Sequence, residues 1–312
     1  MLRRIVERFL VSLGVIVGAV TLIFLVLNWL PGDSATLIAG EDASAETIQH
    51  LREKLGTDRS LSDQYRAYLK GVLHGDLGTS YATREPVVQR LAAQLPATLE
   101  LTFSACTLAI LLGVGLGVLS VLHRGRWLDQ AIQSLSLFLV SMPAFWLGIL
   151  LILLFSVRLG WLPVIGNGGF LPLVLPVTTL GLVLSVPLQR MVRDGMLEGL
   201  HEPYVTTLRA KGLGERRIFY VHVLRNALTS TVTLLGVLIG ESLSNAVIIE
   251  TLFARQGIGR TTVEAIGQKD LPVVQGAILI SSVAYVVVNL LVDISYTLID
   301  PRTRLFIPKG TR

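Results

Sequence analysis

One cysteine, Cys106, occurs in 312 residues, so an intrachain disulfide is impossible and no zinc-ligand spacing exists. Charge is scarce as well. Asp, Glu, Lys and Arg make up 16% of the chain, against about 25% in ordinary soluble domains. A glycine-rich loop ending in Lys and Ser or Thr is missing, so the chain carries no phosphate cradle of the P-loop kind. A Gly-x-Ser-x-Gly elbow is missing too, and the five histidines form no pair at ligand spacing. A membrane-embedded enzyme would need a convergent nucleophile, base or metal set, and the sequence offers none. The net charge of +5 does not mark a nucleic-acid binder. The cations lie scattered between apolar blocks and are not interleaved with aromatics.

What is abundant is hydrophobic residues, 52% of the total, gathered in long runs. A helix crossing about 30 Å of hydrocarbon needs roughly 20 apolar residues. Runs of that kind extend from Leu10 to Leu30, Ala97 to Leu122, Ala131 to Val157, Leu171 to Leu188, Leu228 to Phe253 and Ala277 to Ile299. The first follows Arg3, Arg4 and Arg8 as a signal peptide would. It is longer than an h-region of about 7–15 residues, and Pro31-Gly32 follows it rather than a small-x-small cleavage site. It reads as an uncleaved span. The fourth run holds Pro172, Pro176 and Pro187, where kinks are expected.

With both termini in the cytoplasm, the segments placed inside hold 16 Lys and Arg, against 4 in the two short outside loops. That asymmetry follows the positive-inside rule, which also makes the long first outside loop weak evidence in either direction. That loop, 31–96, contains two helical patterns, Ala45 to Leu55 closed by Gly56 and Leu61 to Leu73 stopped by Gly75. In the second, Tyr65, Leu69 and Val72 share a face.

The segment 190–227 is the most informative. Pro203 suits a first helical turn, with His201 or Glu202 near the cap. Tyr204 to Lys211 reads as a short amphipathic helix broken by Gly212 and Gly214, and a second helix starts near Glu215. The result is a cationic helix-glycine-helix elbow, too polar to insert. An interfacial helix held by anionic membrane lipid would look the same. Within the spans, Glu241 lies beside Ser242, Ser244 and Asn245. Intramembrane acids are costly, so Glu241 is either a pathway-lining group or a protonated partner in an interhelical hydrogen bond. Glu250 and Asp293, nearer the span ends, read as structural. Gly113, Gly115 and Gly117 suit close helix packing. An ion-coupled transporter acting alone would favour paired broken helices in an internal repeat, and none is evident.

Taken with the elbow, a series of fragments resembles the dipeptide, oligopeptide and nickel permease family of ATP-binding-cassette (ABC) importers. The elbow's Arg209-Ala210-Lys211-Gly212-Leu213, the basic pair Arg216-Arg217 and the step Arg225-Asn226-Ala227 follow the family pattern. So do Leu30-Pro31-Gly32-Asp33 after the first span, LGTDRSLSDQY, GDLGTS (75–80), LPATLEL (95–101) and Ser141-Met142-Pro143 with Phe145. Arg190 with Arg193, ETLFARQGIGR, DLPVVQG (270–276) and Asp300-Pro301-Arg302 complete the series. Thr207 and Leu208 stand where small residues are usual, and Gln256 where proline is usual.

The resemblance implies an all-α membrane protein of six transmembrane helices. It would have a methionine-importer-like permease core and a small helical extracytoplasmic region between helices one and two. The expected organisation is 1–30 for the N-terminus and first span, 31–96 outside, 97–299 as the five-helix core with coupling loop 190–227, and 300–312 as a cytoplasmic tail. The chain is expected to be a non-enzymatic permease subunit in the bacterial inner membrane, with no cofactor of its own. Its expected partners are a second homologous permease, two cytoplasmic ATPase subunits that hold ATP and magnesium, and an extracytoplasmic substrate-binding protein. Peptides are the expected cargo, with glutathione, nickel or another metal chelate as alternatives. The residues implied in ATPase coupling are Tyr204, Thr206, Arg209, Ala210, Lys211, Gly212, Leu213, Gly214, Glu215 and Arg216. Pro143, Glu241, Ser244 and Asn245 are the pathway candidates.

Overall fold

In hydrocarbon every backbone N–H and C=O must be satisfied within its own segment, which favours uninterrupted helices. The computed structural model describes residues 2–29, 34–39, 43–166 and 169–299. The fragments Leu30 to Asp33 and Asp300 to Arg302, and the tail 300–312, lie outside the described residues. Among those described, the regular structure is helical, with one isolated antiparallel bridge between Thr79 and Pro86. The helices in chain order are α1 (Leu2–Trp29), α2 (Ser34–Ala39), α3 (Ala45–Leu55), α4 (Leu61–Leu73), α5 (Val87–Leu122) and α6 (Trp127–Ser141). They continue with α7 (Ala144–Leu151), α8 (Leu171–His201), α9 (Pro203–Ala210), α10 (Glu215–Arg217), α11 (Leu224–Leu252), α12 (Ile258–Gly267) and α13 (Leu271–Ile299). Five of these are long and apolar enough to cross a membrane, and a bent pair supplies a sixth span if counted as one.

That bent pair departs from the continuous third run read in the sequence. Helices α6 and α7 meet at 110° around Met142-Pro143. Pro143 cannot donate a backbone hydrogen bond and disfavours helix at the residue before it, and Met142 is extended at ψ 134°. Beyond α7 the chain continues as a π-helical stretch, Ile152–Arg158. A second departure is α8, which runs on past Leu188 through Arg190 and Arg193 to His201. The first part of the 190–227 segment is therefore the end of a long helix, not a loop. Pro176 and Pro187 lie inside this continuous helix. A third departure is α12, which the sequence reading did not anticipate.

The chain divides into two compact units, one formed by 1–98 with 256–286 and the other by 99–255 with 287–312. In the first, Ile23 and Leu27 of α1, Val87 and Leu91 of α5, Ile258 and Ala265 of α12, and Val273, Val274 and Ala277 of α13 form one apolar core. Helix α3 starts at Ser44, whose Oγ accepts from the Thr47 N–H, and ends at Gly56 with φ 69°. Ser60 caps α4 in the same way. Phe24 of α1 stacks on Tyr68 of α4 at 5.7 Å, and Tyr65 Oη and Thr21 Oγ1 share a 2.6 Å hydrogen bond.

In the second unit α8 packs principally against α11. Leu175, Leu180, Leu184 and Leu188 meet Leu238, Ala246, Ile249 and Phe253, with Leu101, Ala105 and Ala109 of α5 alongside. Cys106 is buried there and lies 3.6 Å from Ser242 Oγ, so it faces a helix. A methyl group added at Gly113 would lie 2.6 Å from Leu188 Cβ, and one at Gly117 would lie 2.9 Å from Val192. These two glycines let α5 and α8 touch backbone to backbone, whereas Gly115 faces open space.

Candidate functional site: the elbow between the fourth and fifth long helices

Helix α8 stops at Glu202, whose extended backbone (ψ 143°) turns the chain, and Pro203 opens α9. Helix α9 ends in a tight reversal. Lys211 N–H donates to Thr207 O at 3.0 Å, Gly212 N–H to Arg209 O at 2.9 Å and Leu213 N–H to Leu208 O at 3.2 Å. Gly212 sits at φ 79°, a region that costs an L-residue with a Cβ about 1–2 kcal/mol. Space is not the constraint, since an added Cβ would meet nothing within 4 Å. Gly214 then starts α10, which passes into a π-helical stretch, Ile218–Val223, and on into α11. The sequence predicts a second helix from near Glu215, and the chain is helical from there, with the π-helical stretch inside it.

The elbow is anchored by its apolar side. Val205, Ile218 and Val223 are fully buried, as are Val192 and Met196 of α8, and the buried Val121 of α5 packs with them. Tyr204 and Leu213 turn inward and are half-buried against this anchor, and the Tyr204 Oη is enclosed. Burial, with Glu202 nearby, pushes the Tyr204 phenol up. Thr206, Arg209, Ala210, Lys211, Gly212, Gly214, Glu215 and Arg216 are all exposed. Across the reversal, Arg209 Nε donates to Glu215 Oε1 at 2.7 Å and Nη2 to Oε2 at 3.1 Å. The Arg209 guanidinium holds the Glu215 carboxyl below the usual carboxylate range. With that pair matched, Lys211, Arg216 and Arg217 leave the tip cationic.

Beneath the anchor lies a polar clasp that the sequence reading missed. Arg193 of α8 donates from Nε to Asp129 Oδ1 and from Nη2 to Asp129 Oδ2, both at 3.1 Å. Asp129, on α6, is buried and also accepts from Ser120 Oγ of α5 at 2.5 Å and Gly125 N–H at 3.0 Å. Arg193 Nε reaches Ser120 Oγ as well, at 2.9 Å. One ion pair thus ties three helices together, one residue along from Val121 and Val192 of the anchor. The sequence hint was Arg193 in a basic pair. Its partner Asp129 lies two residues before the apolar run that begins at Ala131, where no local pattern marks it.

The pathway candidates fall differently. Glu241 and Ser244 lie on an exposed stripe of α11 with Val237 and Ile248, and Asn245 is half-buried beside them. Glu241 makes no hydrogen bond or ion pair among the described residues. Pro143 is exposed at the α6–α7 break. Glu250 is fully buried, and the Asp293 side chain lies outside the described residues.

Several of the scattered fragments prove to be contact partners. Ser80, from GDLGTS, donates to Asp270 Oδ2 of DLPVVQG at 2.5 Å, and the Tyr81 N–H to Oδ1 at 2.9 Å. Arg90 Nη1 lies 3.4 Å from the same carboxylate, which is fully buried. Thr98 of LPATLEL accepts from the Ile258 N–H at 2.9 Å, and Glu100 pairs with the buried Arg255. Order along the chain conceals these pairings, because the partners are more than 150 residues apart.

The geometry is that of a helical membrane protein with an anchored, exposed cationic elbow. Residues 109–305 match the model of the binding-protein-dependent transport system inner membrane component, and 1–102 match the corresponding N-terminal model. The chain belongs to this family. Its relatives in the family include a putative peptide transport system permease of Brucella abortus (strain 2308), 41% identical over 96% of this chain and 98% of that protein. Another is the glutathione transport system permease GsiC of Salmonella choleraesuis, 37% identical over 97% and 99%. Among solved structures, the inward-facing MetNI methionine ABC transporter shares the fold with a TM-score of 0.54 at 18% identity, covering 67% of this chain and 96% of that one. An amino acid ABC transporter chain matches with a TM-score of 0.52 at 17% identity, covering 69% and 94%. This member of the family is thus a multi-pass membrane permease, with ABC-importer permeases as its structural neighbours.

Proposed function

We propose that this chain is one of two permease subunits in a bacterial importer that carries peptides inward. Two separate cytoplasmic ATPase subunits would drive it and an extracytoplasmic binding protein would feed it. Both termini lie in the cytoplasm in this reading, supported by the lysine and arginine asymmetry. ATP and magnesium belong to the ATPases, and this chain brings no cofactor. The single observation that carries the proposal is the elbow. It is rigidly anchored by Val205, Ile218 and Val223 and held in shape by Gly212 and the Arg209–Glu215 pair, while its polar residues are exposed.

An exposed tip on a buried anchor is what a mechanical coupling needs. A partner closing on Thr206, Arg209, Ala210, Lys211, Gly212, Gly214, Glu215 and Arg216 would displace α9, and Tyr204 and Leu213 would pass that motion to the anchor. The anchor and the Asp129–Arg193 clasp would transmit it to α5, α6 and α8, which can then move as rigid bodies. The exposed stripe with Glu241, Ser244 and Asn245, and Pro143 at the break, are where we place the pathway or the contact with the second permease. Peptide cargo is favoured by the relatives named for peptide transport. Glutathione, itself a short peptide, is the second reading, supported by the relatives named for its transport.

The test is reconstitution of the full complex in liposomes with ATP inside or outside and a panel of labelled di- to hexapeptides and glutathione. Uptake that requires ATP on the elbow side and the binding protein on the other is expected. Uptake by the permease alone, driven by an ion gradient, would remove the proposal.

A further inference from the structure

Between α1, the α3–α4 turn, α4 and the start of α13, all within the first unit, lies a cleft of about 260 Å³. It is unrelated to the elbow. Its walls hold two hydroxyls, Thr57 Oγ1 and Tyr68 Oη, that are shut off from solvent and make no hydrogen bond among the described residues. A buried hydroxyl with no partner is costly, and such groups are rare unless something answers them. Arg59 lines the same cleft and forms no ion pair among the described residues, and none of the described residues that line the cleft is a carboxylate. Gln275 adds an amide from α13, and the rings of Phe24 and Tyr81 supply an apolar wall.

The cleft is also built, not left over. Gln64 Nε2 donates to Thr57 O at 3.2 Å and Arg59 O at 2.9 Å, fixing the turn that carries both residues. The Tyr68 ring is stacked on Phe24. Burial and the neighbouring Tyr65 push its phenol up to about 12, so the group is a neutral donor at physiological pH. A cation and two hydroxyls unanswered among the described residues line one cleft beside aromatic rings. At about 30 Å³ per molecule of liquid, the volume is several times that of a single water.

We infer that this cleft binds a small organic oxyanion, a carboxylate or phosphate carried next to an apolar group. Arg59 and the Thr57 and Tyr68 hydroxyls hold the oxygens, and Phe24 and Tyr81 face the apolar part. The inference stands apart from the transport reading, since it concerns direct binding by this chain. The ligand's source is either a solute or a phospholipid headgroup.

The test uses the purified full-length chain in phosphatidylcholine nanodiscs and equilibrium dialysis with labelled N-acetylphenylalanine, its neutral amide and inorganic phosphate. A parallel set of nanodiscs contains phosphatidylglycerol. Saturable binding of the carboxylate or phosphate is expected, with the amide weaker by about tenfold or more. The same loss is expected in Arg59→Gln and in Thr57→Val/Tyr68→Phe. The double variant removes only hydroxyls that have no partner among the described residues, so its melting temperature should not fall, which separates a lost site from a lost fold. Displacement of the probes by phosphatidylglycerol assigns the site to a headgroup, and persistence assigns it to a solute. Failure of both anions to bind saturably, or affinities unchanged in both variants, overturns the inference and leaves the hydroxyls to water.

Discussion

Gly212 is the residue on which the elbow's shape depends. Its Cβ position is open, so replacement by Val acts through φ alone and costs about 1–2 kcal/mol, too little to unfold the chain. In the reconstituted complex, Gly212→Val is expected to retain ATP hydrolysis and membrane insertion while most uptake per ATP is lost. Gly212→Asn, whose side chain tolerates the left-handed region, should keep more. Uptake at the unmodified level in the valine variant would count against a coupling role. Glu215 adds a pH test. Its carboxyl is held below the ordinary range by Arg209, so the clip is complete above that range. It opens only as pH falls through the lowered value. A spin label placed at exposed Thr206 through Thr206→Cys, in a Cys106→Ser background, should report one elbow conformation at neutral pH and mobility in strong acid. The Glu215→Gln variant should be mobile at both. For the clasp, Arg193→Met strands the buried Asp129 carboxylate and should destabilise by about 3 kcal/mol, while adding Asp129→Leu should recover much of that loss. Thermal melts of the two variants beside the unsubstituted chain check it.

At the scale of helices, small residues decide which faces meet. Gly117→Val must push α8 away at Val192 and should cost about 1–3 kcal/mol, whereas Gly115→Val, facing open space, should be near neutral. Melting temperatures of the two variants give the comparison directly. Apolar run length made the long helices legible in the sequence. The caps of α3 and α9 were legible too, through Gly56 and Pro203, because both act within a few residues. What escaped was set by distant partners or by continuity. Helix α8 passes Arg190 and Arg193, both good helix formers, and Arg193 meets Asp129 on another helix, a pairing no local pattern reveals. The break at Pro143 lay inside a run that hydrophobicity alone joins. The π-helical stretches at Ile152–Arg158 and Ile218–Val223 preserve that same apolar pattern, so periodicity did not announce them. Fragments such as GDLGTS and DLPVVQG were legible as resemblances, but their pairing through Ser80 and Asp270 was not.

For the whole molecule, the account requires one orientation. The elbow must face the compartment that holds the ATPases, and the segment 31–96 must face the other side, where a binding protein could reach it. The charge asymmetry favours that arrangement, and a membrane-impermeant thiol reagent reads it directly. With Cys106→Ser as background, Lys211→Cys places one exposed thiol at the elbow tip, and Asp58→Cys places one in the turn between α3 and α4. In intact spheroplasts the account predicts that the thiol at 58 is labelled at once. The thiol at 211 should react only after permeabilisation, and should then be protected when the ATPase subunits are co-expressed. Rapid labelling at 211 in unbroken cells would put the elbow on the outer side and contradict the account.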